Sequence, residues 1–122
     1  RFLVARECGV HQNYKDAVLA AGDISTVTTG RRFGGNTCRQ IKNTFSRNFI
    51  KEEYSPEATA ESVAMLGAGA LRRAAVDGDA KNGSLLCGQI AGLVNKEQSA
   101  AEIIEEIFSQ AEELLRGTKF AD

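Results

Sequence analysis

The sequence predicts a mainly α-helical fragment with one or two short strands, and three patterns carry that expectation. The first is the set Ile103, Ile104, Ile107, Phe108, Ala111, Leu114 and Leu115, whose alternating three- and four-residue steps make one apolar stripe along a helix. The second is a pair of shorter helical series, Tyr14, Ala17, Val18 and Ala21, then Ile41, Phe45 and Phe49. The third is the β-branched run Ile24 to Thr29, in which residues 24, 26 and 28 face one way and residues 25, 27 and 29 the other.

The chain has 122 residues, near the usual size of one domain, so a single packed unit is the limit. Its 43% hydrophobic and 25% charged content fits a soluble globular protein. No stretch approaches the roughly 20 apolar residues of a membrane span, so no membrane partner is expected.

Residues 1 to 7 read as the first turns of a helix or its tail. Cys8 to Asn13 is a polar break holding the only histidine, His11. The helix through Tyr14 and Ala21 ends at Gly22, where a C′ glycine is expected. After the strand, Gly30-Arg31-Arg32-Phe33-Gly34-Gly35-Asn36 is a flexible basic loop able to close over an anion. A helix is expected over residues 37 to 50, apolar on one face and basic on another. Ser55-Pro56 marks the next start, with serine as N-cap and proline at N1. Gly67 and Gly69 each cost about 1 kcal/mol relative to alanine inside a helix, so the stretch to Val76 is either kinked or two joined helices.

Asp77-Gly78-Asp79 ends that stretch, and Ser84 then caps an expected helix through Val94. This helix places Gly88 and Gly92 four apart on one face, with Gln89 beside them. Two uses suit it: close helix packing through glycine, or a pocket wall with bare backbone against a ligand and Gln89 as donor and acceptor. Residues 95 to 98 form a turn, Ser99 and Glu102 make a capping box, and Gly117 closes the last helix.

His11 has no carboxylate or cysteine at a motif spacing, so a solvated or helix-capping role is expected rather than catalysis. Cys8, Cys38 and Cys87 are widely separated and lack metal or redox spacing, which fits reduced thiols and no metal site. Six cations lie between Arg31 and Lys51 with no acid among them, and six acids between Glu97 and Glu113 with no base. Either the two groups attract each other or one faces an anionic partner. Arg31 and Arg32 beside Gly34-Gly35 suit the phosphate of a cofactor or partner, while a solvated surface matched by the C-terminal acids is the competing use. Without interleaved aromatics or a base-reading motif, and at a net charge of −1, no nucleic-acid partner is expected.

Gly67-Ala68-Gly69-Ala70-Leu71, Gly78-Asp79, Asn82-Gly83-Ser84 and Gly88-Gln89-Ile90-Ala91-Gly92-Leu93-Val94 stand in the order typical of one enzyme family. On these motifs the chain resembles the C-terminal part of the flavin-dependent enoyl-acyl carrier protein reductase (type II), a sister of the nitronate monooxygenases (2-nitropropane dioxygenase-like). Arg1 to Glu7 resembles the residues just after the Gly-Thr of that family's flavin-phosphate loop, and the likeness covers almost the whole chain. The resemblance implies a parent FMN-binding (β/α) TIM barrel with a small second domain. It implies residues 1–22 as helices following the last barrel strand, and 23–78 as the small domain. Residues 79–122 would then hold the pocket helix and the amphipathic helix. The family's active-site histidine and most flavin contacts come from upstream loops, so no catalytic residue is assigned here. The resemblance also implies that Gly88 and Gln89 border the flavin and that Leu86 and Cys87 line the substrate channel, where relatives often carry methionine-alanine; it makes Arg31 and Arg32 candidates for a phosphate of FMN, NADPH or a phosphopantetheine arm. The implied activity is cytoplasmic reduction of enoyl thioesters on acyl carrier protein with FMN and NAD(P)H, in fatty acid synthesis. The chain alone is expected to be an inactive fragment without tightly bound cofactor, and to form a homodimer or otherwise self-associate through apolar helix faces. The alternatives are a nitronate monooxygenase and a non-enzymatic helical interaction module.

Overall fold

A computed structural model describes residues 1–35 and 37–117. Helix α1 spans Gln12–Leu19, strands β1 and β2 span Thr26–Thr29 and Cys38–Ile41, and helices α2 to α4 span Thr44–Glu53, Ala60–Gly67 and Ala70–Ala75. Short 3-10 turns occupy Phe2–Val4 and Gln89–Leu93, and α5 runs over Ala100–Gly117. The strands pair antiparallel, with Thr26 opposite Ile41 and Thr29 opposite Cys38.

Helix α1 begins at His11, whose Nδ1 accepts the Asn13 N–H at 3.1 Å, so the histidine serves as an N-cap. Gly69, at φ +70°, separates α3 from α4 and makes two helices rather than one kinked one. The Ser99–Glu102 box forms, with each residue accepting from the other's backbone N–H, and α5 follows it.

Three expectations are overturned. The helix expected from residue 37 starts only at Thr44, because residues 38–41 pair with β1. Asn43 then caps α2, accepting the Ser46 N–H while its amide donates to the Ala80 and Gly83 carbonyls. The start expected at Ser55-Pro56 moves to Thr59, whose reciprocal box with Ser62 satisfies two backbone donors; Ser55 instead closes the end of α2. The glycine-rich helix from Ser84 does not form. Leu85 accepts the Ile41 N–H, Cys87 donates to the Arg39 carbonyl, and Leu86 bridges Gln40, so the segment lies along the free edge of β2. Sheet bonding satisfies this backbone at once, whereas a glycine-rich helix would have to fix two glycines. Gly88 and Gly92 therefore do not share a helical face.

The core joins Val4, Tyr14 and Val18 to Ile41 and Ala74, and to Leu85, Ala91 and Val94. Lys15 is buried beneath it, its Nζ donating to the Ala5 carbonyl at 2.7 Å and lying 3.7 Å from Glu97. Gly92 packs on the turn after α1, where an added Cβ would lie 2.8 Å from the Gly22 carbonyl carbon.

Candidate functional site

Alternation along β2 turns Ile41 into the core and Cys38 and Gln40 toward a cleft of about 470 Å³ between the sheet and helices α2 to α4. That volume lies within the range of small-molecule pockets. Its floor is a chain of neutral polar groups. The Gln40 amide donates to Thr29 Oγ1 at 2.8 Å and accepts from Ser84 Oγ at 2.9 Å, with Gln40 only 2% exposed.

The walls are apolar. Phe45 and Phe49, one turn apart on α2, hold their rings 5.8 Å apart and tilted by 54°. Opposite them α3 presents Ala60, Ala64 and Gly67, spaced by four and three so that small residues line one side. Leu71 and Leu86 complete the walls, and Gly30, Phe33 and Gly35 form one lip. That loop is folded by Glu53, a buried carboxylate that accepts the N–H groups of Gly30 and Arg32 at 3.0 and 2.8 Å.

Leu86 lines the cleft, and its carbonyl accepts a 2.6 Å hydrogen bond from Tyr14 Oη. Cys87 follows it half-buried, with its thiol pushed above the ordinary range by burial, an effect that the Arg39 charge partly offsets. Gly88 and Gln89 lie at the end of the segment; Gln89 is exposed, and a Cβ on Gly88 would meet nothing within 4 Å. Arg31 is exposed on the loop. Arg32 Nη1 donates to the Glu53 and Ser55 carbonyls, and its guanidinium lies 5.0 Å over the Phe33 ring. Thus Leu86 and the basic loop meet at the cleft, while among the described residues no hydrogen bond joins Arg31 or Arg32 to Leu86–Gln89.

The C-terminal acids do not match the basic loop. Glu97, Glu102 and Glu106 pair with Lys15, Arg6 and both Arg1 and Lys96. Among the described residues the cations from Arg31 to Lys51 have no carboxylate ion pair. Thr29, Gln40 and Glu53 were not singled out from sequence, and Ser84 was expected as a helix cap rather than a cleft residue. A glutamine between Arg39 and Ile41 carries no local pattern, and only its pairing opposite Val27 and Leu86 gives it a place.

The sequence profile of the nitronate monooxygenase family matches residues 1–110. The chain belongs to the nitronate monooxygenase family. Among solved structures it is similar to FabK from Thermotoga maritima, at 33% identity and a TM-score of 0.82 over 96% of this chain and 37% of that one. A mutant of Thermotoga maritima FabK matches at 32% identity and a TM-score of 0.73, over 96% and 35%. The chain therefore spans about 37% of the length of FabK. The fold class expected from sequence stands: a mainly helical piece with two short strands, belonging to a barrel-type parent.

The family implies FMN, and the residues present fit one edge of such a group. Gly88 leaves open space beside its backbone, and the exposed Gln89 amide makes no hydrogen bond among the described residues, so a donor and an acceptor remain for a heterocycle. Arg32 Nη1 is held on two carbonyls, and no described cation lines the cleft.

Proposed function

We propose that this chain forms the pocket-covering part of a cytoplasmic FMN-dependent oxidoreductase that reduces enoyl thioesters on acyl carrier protein with NAD(P)H in fatty acid synthesis. The supporting observation is a cleft walled by apolar residues and, among the described residues, free of Lys, Arg and His, beside Leu86–Gln89, in a chain 33% identical to FabK across 96% of its length. A flavin held there would supply the hydride transfer between the nicotinamide and the double bond. Gly88 and Gln89 hold the edge of that group, the first by leaving room for it and the second through its amide. Leu86 and Cys87 keep water from the reacting carbons. Arg31, exposed beside the cleft lip, receives a phosphate of a cofactor or of the carrier's arm. Self-association through the exposed face of α5 belongs to the same reading.

A second reading, oxidation of alkyl nitronates by the flavin with oxygen, is favoured by the family profile over residues 1–110. Replacing the matching segment of Thermotoga maritima FabK with this chain separates the two. The flavin-loaded chimera is expected to oxidise NAD(P)H only when crotonyl thioester is supplied. Turnover of alkyl nitronate with no enoyl reduction would overturn the first reading.

A further inference from the structure

Outside the cleft, the pair of helices α2 and α3 presents a second surface. Asn48, Lys51 and Glu52 of α2 and Ser62, Met65 and Leu66 of α3 line an open groove of about 560 Å³. Met65 is 72% exposed, on a helix that buries only Val63 among the described residues. Methionine is an adaptable apolar contact, of use where a partner's side chains must be received. Cations run along one edge of this groove. Asn43 is the N-cap of α2, so Lys42 stands at N′ and Arg47 at N4, two positions that meet across the start of a helix. Lys51 follows Arg47 by four, on the same face. All three are exposed, and among the described residues their side chains make no hydrogen bond or ion pair. Like charges one turn apart repel, and the one carboxylate lining the groove, Glu52, leaves the edge net positive.

We propose that this groove receives an acidic amphipathic helix of a partner protein, its apolar residues on Met65 and Leu66 and its carboxylates on Lys42, Arg47 and Lys51. An apolar strip beside a line of unpaired cations matches such a helix on both counts. Duplex DNA or an anionic membrane surface would satisfy the cations through phosphate alone and give Met65 no role. A purely apolar helix would leave the cations unpaired. The surface holds whichever substrate the parent enzyme consumes, since none of its residues lines the cleft.

The test uses the 122-residue chain carrying Ile107→Glu and Phe108→Glu, which removes the exposed stripe of α5 as a competing apolar seat. The probe is a fluorescein-labelled helical peptide of about 16 residues made of Glu, Ala and Leu, with its leucines three and four apart. A control peptide has the same composition with the leucines scattered. Fluorescence anisotropy is expected to show the amphipathic peptide binding about tenfold or more tightly than the control, and less tightly as salt rises. Arg47→Glu with Lys51→Glu, and separately Met65→Gln, should each weaken it by about fivefold or more. These positions are exposed, so circular dichroism should stay unchanged in both variants. No peptide binding, equal binding of the two peptides, or binding that neither variant weakens overturns the proposal. A chain that ignores the peptide but takes duplex DNA or phosphatidylglycerol vesicles overturns it as well, and assigns the cations to phosphate.

Discussion

The Tyr14 hydroxyl donates a 2.6 Å hydrogen bond to the Leu86 carbonyl, tying α1 to the segment that lines the cleft. Tyr14 is buried and the Leu86 oxygen accepts no other hydrogen bond among the described residues, so Tyr14→Phe leaves a carbonyl unpaired without opening a cavity. The expected loss is about 1–2 kcal/mol of unfolding free energy. Urea denaturation of the two proteins measures it, and a difference near zero would mean that water replaces the bond at no cost.

The same burial raises the Tyr14 pKa from 10.0 to about 12, helped by the nearby Cys87. In the unfolded chain the phenol releases its proton near 10, while the folded chain holds it to about 12. Stability from this group is therefore complete below pH 10 and declines as pH rises toward 12. The urea midpoint of the wild type should fall across that window more steeply than that of Tyr14→Phe. Parallel profiles would remove Tyr14 as the cause.

Local rules decide the parts of the fold that were legible in the sequence. The α5 stripe, the Ser99–Glu102 box, the Gly69 break and the capping role of His11 each depend on residues within about one helical turn, and all four are present. Residues 38–41 and 84–88 carry helical spacing yet do not form helix, because their fate is set by pairing across the chain. Ile41, Phe45 and Phe49 do keep that spacing, but Ile41 is the last residue of a strand and only the phenylalanines share a helix. The family was legible because its motifs are runs of adjacent residues. Gln40 and Ser84 were not, since 44 positions separate them and neither is distinctive alone.

Gly88 and Gly92, which the sequence suggests as one ridge, have opposite surroundings. A methyl on Gly92 would press on the Gly22–Asp23 backbone at 2.8 to 3.0 Å, which cannot yield as a flexible side chain would. Gly92→Ala is expected to cost about 1–3 kcal/mol by overpacking. Gly88→Ala, at φ −73° and beside open space, should leave stability within about 0.5 kcal/mol. In the FabK chimera Gly88→Ala should nonetheless weaken flavin retention, read as absorbance lost on desalting. Full retention would remove Gly88 from the cofactor edge.

His11 contributes structure rather than chemistry. Its ring caps α1 and lies against Gly78, where an added Cβ would come within 2.5 Å of the imidazole. His11→Ala should lower stability by about 1 kcal/mol, the usual loss of an N-cap, and His11→Asn should restore most of it. Enoyl reductase activity of the chimera should stay within about twofold in both variants. A large fall in kcat with unchanged stability would reverse this assignment.

Along α5 only Ile103 is buried among the described residues, while Ile104, Ile107, Phe108 and Leu115 are exposed, Phe108 to 67%. Ile90 and Leu93 in the preceding 3-10 turn are exposed as well. Burying a residue such as Ile107 or Phe108 is worth roughly 1.5–3 kcal/mol, and monomers rarely leave so continuous an apolar stripe uncovered. Isolated chains should therefore associate through this face, with the sedimentation coefficient rising over a concentration series. Ile107→Glu combined with Phe108→Glu should give a monomer at every concentration while keeping its helical circular dichroism, since neither side chain supports the core. Moderate salt should leave the wild-type association intact, because its driving force is apolar rather than ionic. A wild type that sediments as a monomer throughout would show that this face is stable in water, with α5 held by Ile103, by the ion pairs of Glu102 and Glu106, and by the Ala100 N–H donated to Glu7.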